Sequence, residues 1–244
     1  MKRFTLGIVL LAVTALAFGQ QVVASTSWTA AFALAAGAEE VAVLAPYDLT
    51  HPPEYELRPT DIRTITNADL VVYAGYENMV ERLLAAAGDS DAAALQIMTV
   101  HSMGAMTASI TAIAEAIGTE EQASTNLDSI RTFIADWSED VAGYGLDEAP
   151  VLVHFHQRAL AEGLGMNVAG VFGPAPLEAR QIDELTKASP ALIIDNGHNP
   201  VAQPVAETTD APVSVWYNFP GVDGSRTLLD IFEMNREALD ATLD

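Results

Sequence analysis

The feature that most constrains the fold of this chain is a repeated alternation of short apolar runs with helical stretches. The runs are rich in β-branched residues, and helix-type spacing of apolar residues follows each of them. Such an alternation predicts parallel sheets covered by helices on both faces. Four units precede residue 118 and four follow residue 150. The predicted strands are Gln21–Ser25, Val41–Ala45, Leu70–Ala74, Leu95–Val100, Val151–Val153, Val168–Phe172, Ala191–Ile194 and Val213–Tyr217.

Between the two sets of units lies Glu120–Val141, a segment without strand character. Its apolar residues, among them Leu127, Ile130, Ile134 and Trp137, fall at helical spacing. The segment therefore predicts one long helix that joins two lobes, and it disfavours the alternative of a single eight-stranded barrel.

The predicted fold class is α/β, with two lobes that each contain a four-stranded parallel sheet flanked by helices and are joined by a long backbone helix. A length of 244 residues is sufficient for two modest domains. The predicted division is a signal peptide at 1–19, an N-terminal α/β lobe at 20–118, a linking helix at 119–147 and a C-terminal α/β lobe at 148–244.

The N-terminus has the pattern of a signal peptide. Lys2 and Arg3 precede an apolar stretch over 4–18, and small residues such as Ala17 and Gly19 offer cleavage positions. A membrane-spanning helix needs ~20 apolar residues, so an uncleaved anchor is the less favoured alternative. We therefore expect an exported, periplasmic protein.

The composition excludes several classes of partner and ligand. At a net charge of −22 the chain has few basic side chains that could neutralise phosphates, so no nucleic-acid partner is expected. The chain has no cysteine, which excludes thiolate metal ligands and disulfides. We expect a monomer.

Every histidine of the chain lies at or after the end of a predicted strand. Because open α/β sheets bind ligands at the carboxyl ends of their strands, these imidazoles are expected to meet at one cleft between the lobes. Neutral imidazole is a common ligand of zinc and other first-row metals. A lone histidine is more often structural, but this joint placement favours a metal site. The five are His51, His101, His154, His156 and His198.

Four segments carry a resemblance to a known family. His51–Asp61, Asn67–Gly75, His154–Gly165 and Met234–Leu239 occur in the order expected for the metal-binding solute-binding proteins of ABC importers. The sequence resembles this zinc and manganese family over nearly all of the chain that follows the predicted signal peptide. The resemblance implies two α/β lobes, a connecting backbone helix and a metal bound in the cleft between them.

The resemblance also implies which side chains bind the metal. It assigns the first three ligands to His51, His101 and His154, although Pro53 stands where family members usually place the first histidine. His156 is interpreted as a structural or supporting residue.

The fourth family ligand is usually an aspartate that follows the last strand. Asn218 stands at that position here, and an amide is a poor ligand for zinc. His198 is the predicted replacement, with water and Asp223 as the rivals.

The sequence thus predicts a periplasmic solute-binding protein that captures a divalent metal ion and delivers it to an ABC transporter permease. Imidazole nitrogens favour zinc, with manganese as the alternative, because manganese prefers carboxylate oxygens. We do not expect an enzyme. The competing hypotheses are a zinc-dependent hydrolase, which would keep an open coordination position, and a binding protein for an organic solute with structural histidines.

Overall fold

The computed structural model describes residues 20–243, so the predicted signal peptide lies outside the described residues. The N-terminal lobe is built on a four-stranded sheet in the order β2-β1-β3-β4, and all of its neighbouring strands are parallel. The C-terminal lobe repeats this arrangement in the order β6-β5-β7-β8. The strands are β1 (Val22–Ala24), β2 (Val41–Val43), β3 (Leu70–Tyr73), β4 (Ala93–Gln96), β5 (Val151–His154), β6 (Val168–Phe172), β7 (Leu192–Asn196) and β8 (Val213–Trp216).

Helices connect the parallel strands, as parallel pairing requires. The predicted fold class is confirmed, and two separate sheets exclude the eight-stranded barrel. The helices are α1 (Ser27–Ala35), α2 (Pro59–Thr66), α3 (Val80–Gly88), α4 (Met103–Ile117), α5 (Glu120–Gly143), α6 (Arg158–Gly163), α7 (Ala179–Thr186), α8 (Gln203–Thr209) and α9 (Leu228–Leu243). Within residues 20–243, no helix combines the length and the apolarity that crossing a bilayer requires.

The fourth strand differs from its predicted bounds. It begins at Ala93 and ends at Gln96, because Gln96 pairs with Tyr73, the last residue of β3. The chain beyond Gln96 has no neighbouring strand with which to continue the ladder. The predicted extension to Val100 is wrong for this reason, and His101 follows a loop rather than the end of a strand.

Helix α5 is the predicted connection between the lobes. Its buried stripe, which includes Leu127, Ile130 and Trp137, belongs to one continuous apolar cluster with residues of both sheets. The Trp137 ring packs against Trp216 of the C-terminal sheet, with ring centroids 5.0 Å apart. Burial of each such side chain contributes roughly 1.5–3 kcal/mol. The two lobes therefore share a core along α5 and are firmly attached to each other.

In each lobe, a buried carboxylate stabilises a loop that follows the carboxyl end of a strand. Glu77 is 4% exposed and accepts hydrogen bonds from the Ser25 hydroxyl and from the backbone N–H groups of Ala74 and Gly75. Asp195 takes the equivalent role in the other lobe, where it accepts from the backbone N–H groups of Asn196, Val201 and Ala202. These contacts fix the two loops that face the cleft.

Replacement of Glu77 by alanine is expected to lower the free energy of unfolding by about 3 kcal/mol, since it leaves the buried donors of Ser25 and Ala74, and the donor of Gly75, without their acceptor. Urea unfolding at neutral pH measures the change. Glu115→Ala removes an exposed carboxylate from the last turn of α4, and its free energy of unfolding should stay within about 0.5 kcal/mol of that of the unmodified protein. Equal stabilities of the two variants would show that Glu77 has no such role.

Candidate metal site

The carboxyl ends of the two sheets border one cleft of about 650 Å³. Both lobes contribute to its lining, and this is where the repeated β/α order should place a ligand site. Four of the five histidines line the cleft: His51, His101, His156 and His198. His154 does not.

His198 lies in the loop after β7 and has a defined orientation. Its Nδ1 is 3.0 Å from the amide oxygen of Asn218, and its ring stacks on Phe219 with centroids 3.5 Å apart. A neutral imidazole that donates from Nδ1 keeps a free lone pair on Nε2. Asn218, which stands where the family places an aspartate ligand, thus orients the neighbouring imidazole.

The pKa of His198 is affected by two other histidines that line the cleft. Burial lowers the pKa of His198 to about 4; its hydrogen bond with Asn218 opposes this shift, and the like charges of His156 and His51 add to it. Burial also lowers the pKa of His156. Neutral imidazole is the form that binds metal, and burial favours the neutral form of both rings.

His51 comes from the opposite lobe. It directly precedes the 3-10 turn Pro52–Glu54, which follows β2, and its side chain is exposed at the cleft. Together with His156 and His198 it provides imidazoles from both sides of the cleft.

His154 and His156 differ in a way that the sequence did not show. His154 is 0% exposed, and its Nδ1 accepts the backbone N–H of His156 at 3.2 Å, so it caps the 3-10 turn Phe155–Gln157. A Cβ atom at Gly173 would lie 2.5 Å from its Nε2, which shows how closely the chain covers that nitrogen.

His156 is half-buried and lines the cleft, with its ring centroid 5.2 Å from that of His154. The sequence prediction gave the ligand role to His154 and the supporting role to His156. In the structure His156 lines the cleft and His154 does not, because the 3-10 turn directly after β5 redirects the chain.

His101 is buried in an aromatic environment. It is 5% exposed, and its ring packs edge-on against Phe232 with centroids 5.2 Å apart and lies 6.4 Å from Phe32. Burial lowers its pKa to about 4. Its Nε2 accepts the indole N–H of Trp28 at 3.3 Å, and its Nδ1 has no hydrogen-bond partner among the described residues.

The histidines are close, but they are not yet arranged around an ion. Across the part of the chain that the structure describes, no three histidine, aspartate or glutamate side chains could hold a metal ion as they stand.

Aromatic residues complete the cleft. Tyr76 and Phe155 had no predicted functional role, yet both line the cleft and are about half exposed, at 47% and 54%. Their positions after strand ends could have predicted this location. Tyr76 follows Gly75 just after β3, and Phe155 follows the last residue of β5.

Comparison with known proteins gives a family match over part of the chain. Residues 22–128 match the model of a family described as zinc-uptake complex component A, periplasmic. No curated protein matches the sequence closely enough to count as a relative.

Solved structures match over almost the whole chain. The laminin-binding protein Lbp of Streptococcus pyogenes has a TM-score of 0.70 at 17% identity, and the match covers 93% of this chain and 99% of that one. AdcAII of Streptococcus pneumoniae has a TM-score of 0.68 at 16% identity, with 93% and 100% covered. A manganese-bound periplasmic metal-binding protein from Candidatus Liberibacter asiaticus has a TM-score of 0.66 at 18% identity, with 92% and 100% covered.

These TM-scores establish a shared fold. The shared fold and the family match over residues 22–128 both agree with the resemblance to metal-binding solute-binding proteins.

Proposed function

We propose that this chain, which has the fold of the metal-binding solute-binding proteins and matches the zinc-uptake family over residues 22–128, captures a divalent transition metal for an ABC importer. One observation carries the proposal: imidazoles from both lobes line a single cleft at the carboxyl ends of the two sheets. A metal bound there would bridge the lobes, and the bridged form would be the one that a permease recognises.

The proposed ligands are His51, His156 and His198. His198 offers the Nε2 lone pair that its contact with Asn218 leaves free. The charges of both His51 and His156 lower its pKa, and side-chain rotation or a closer approach of the lobes would bring the three rings to one ion. His156 takes the place that the sequence prediction gave to His154, because His154 is enclosed.

Zinc is the proposed cargo, with manganese as the alternative. Three imidazoles with a fourth ligand suit tetrahedral zinc, whereas manganese prefers oxygen. The acidic chain, at a net charge of −22, attracts cations toward the cleft from a distance. We place the protein in the periplasm as a monomer that delivers its metal to the permease.

Metal competition tests the proposal. Metal-free protein should bind one zinc ion per chain, and zinc should displace manganese when both are present in equal amounts. Elemental analysis of the purified protein and titration against a coloured chelator give the two measurements. Retention of manganese against zinc would assign the other cargo, and failure to bind either metal would contradict the proposed function.

The aromatic residues that line the cleft support a second candidate function, the binding of a small organic solute in the same cleft. A volume of about 650 Å³ lies in the range of small-molecule sites, which are mostly apolar. In that case the histidines would be structural. A ligand that stabilises the protein equally with and without a chelator would favour this candidate over metal capture.

A further inference from the structure

Trp28 lines the cleft and contacts aromatic rings of both lobes. It is in the first turn of α1, directly after β1, and the Thr26 capping box starts that helix. Its ring lies near Tyr76 of its own lobe, with centroids 6.1 Å apart. It also contacts the opposite lobe, at 5.7 Å from the ring of Phe219 and 6.5 Å from that of His156.

The indole N–H of Trp28 occupies a possible metal-binding position. It donates to Nε2 of His101 at 3.3 Å, so the lone pair of that nitrogen points at the indole. Zinc would need the same lone pair at ~2.0–2.1 Å. An indole N–H and a metal ion cannot both use it, and Nδ1 of His101 is buried and has no hydrogen-bond partner among the described residues.

We infer that Trp28 is a built-in competitor for the metal. In the metal-free protein its indole N–H occupies His101 Nε2, and His101 becomes the fourth ligand only when Trp28 is displaced. This inference rests on the proposed function. It makes Trp28 a residue that sets metal affinity without coordinating the ion.

The competition also links metal binding to the contact between the lobes. The same ring that occupies His101 packs on Phe219 and His156 of the opposite lobe. Displacement of Trp28 by metal therefore frees a ligand and removes an interlobe contact in one step. The three free imidazoles bind the ion first, and the fourth completes the coordination.

The Trp28→Phe variant tests the inference, because it keeps an aromatic ring and removes the N–H. We expect zinc to bind this variant about 3- to 10-fold more tightly, the effect of removing one competing hydrogen bond. Tyr144→Phe is the matched control. It removes a hydroxyl that donates to Asp240 at 3.0 Å outside the cleft, and zinc affinity should not change.

Fluorescence gives a second readout that does not depend on affinity. Trp137 and Trp216 are 0% exposed and pack against each other, so the response to zinc should come from Trp28. The unmodified protein should show a change in emission on saturation with zinc, and the Trp28→Phe protein should show none.

The outcomes separate this inference from the proposed function. If both proteins bind zinc with the same affinity, or if the emission change persists without Trp28, the competitor role is refuted and metal capture stands. If neither protein binds zinc or manganese, the proposed function fails and this inference fails with it.

Discussion

Zinc will bind the His198→Ala protein at least about 100-fold more weakly than the unmodified protein. His198 is the imidazole with the best-defined free lone pair, because Asn218 holds its Nδ1 and Phe219 stacks on its ring. Loss of a residue that only supports a ligand costs 10–100-fold in metal affinity, so loss of a ligand should cost at least the upper figure. Titration in the presence of a competing chelator measures the two dissociation constants.

The pair His154 and His156 provides a sharper version of the same experiment. His156→Ala should also weaken zinc binding by about 100-fold, the upper figure for a supporting residue. His154→Asn keeps a side-chain acceptor for the backbone N–H of His156, and asparagine is a favoured capping residue. The zinc affinity of that variant should stay within a few-fold of the affinity of the unmodified protein, because one capping side chain replaces another.

The opposite result would restore the ligand set predicted from the sequence. If His154→Asn abolishes zinc binding and His156→Ala leaves it intact, then His154 is the ligand and the enclosed position found here is not the one that binds metal. Circular dichroism of each variant confirms that the fold is retained before affinities are compared.

Acid should destabilise the fold between pH 6.5 and pH 4 through its buried histidines. Burial lowers the pKa of His101 to about 4, against 6.5 in the unfolded chain. The unfolded state therefore binds a proton in this window while the folded state does not. The stabilisation is fully present above pH 6.5 and is lost as the pH falls to 4. For His101 it amounts to about 3 kcal/mol.

The His101→Phe variant isolates this contribution from that of the carboxylates. Phenylalanine suits the surroundings of Phe32 and Phe232 and does not titrate. Urea unfolding at pH 7 and pH 4 should show a loss of stability that is about 3 kcal/mol smaller in the variant than in the unmodified protein. His51→Gln, at an exposed histidine, serves as the control and should leave the loss unchanged. An equal loss in all three proteins would show that His101 does not cause the acid sensitivity.

Much of the fold followed from local patterns. Alternating strands and helices predicted the parallel sheets, and the apolar spacing of Leu127, Ile130 and Trp137 predicted α5. The error at β4 has a non-local cause. Whether Ile97–Val100 continues a strand depends on a neighbour, and β3 ends opposite Gln96.

The candidate site was predictable only in its chemistry. The sequence by itself determined that imidazoles follow the strand ends of both lobes, because strand and helix periodicity are local properties. Only the tertiary structure decided that His156 rather than His154 lines the cleft and that Trp28 occupies Nε2 of His101. The physical reason is that both features depend on more than local periodicity. One tight turn directs the side chains of His154 and His156 to different surroundings. The hydrogen bond between Trp28 and His101 joins residues 73 positions apart, so it depends on how distant segments pack.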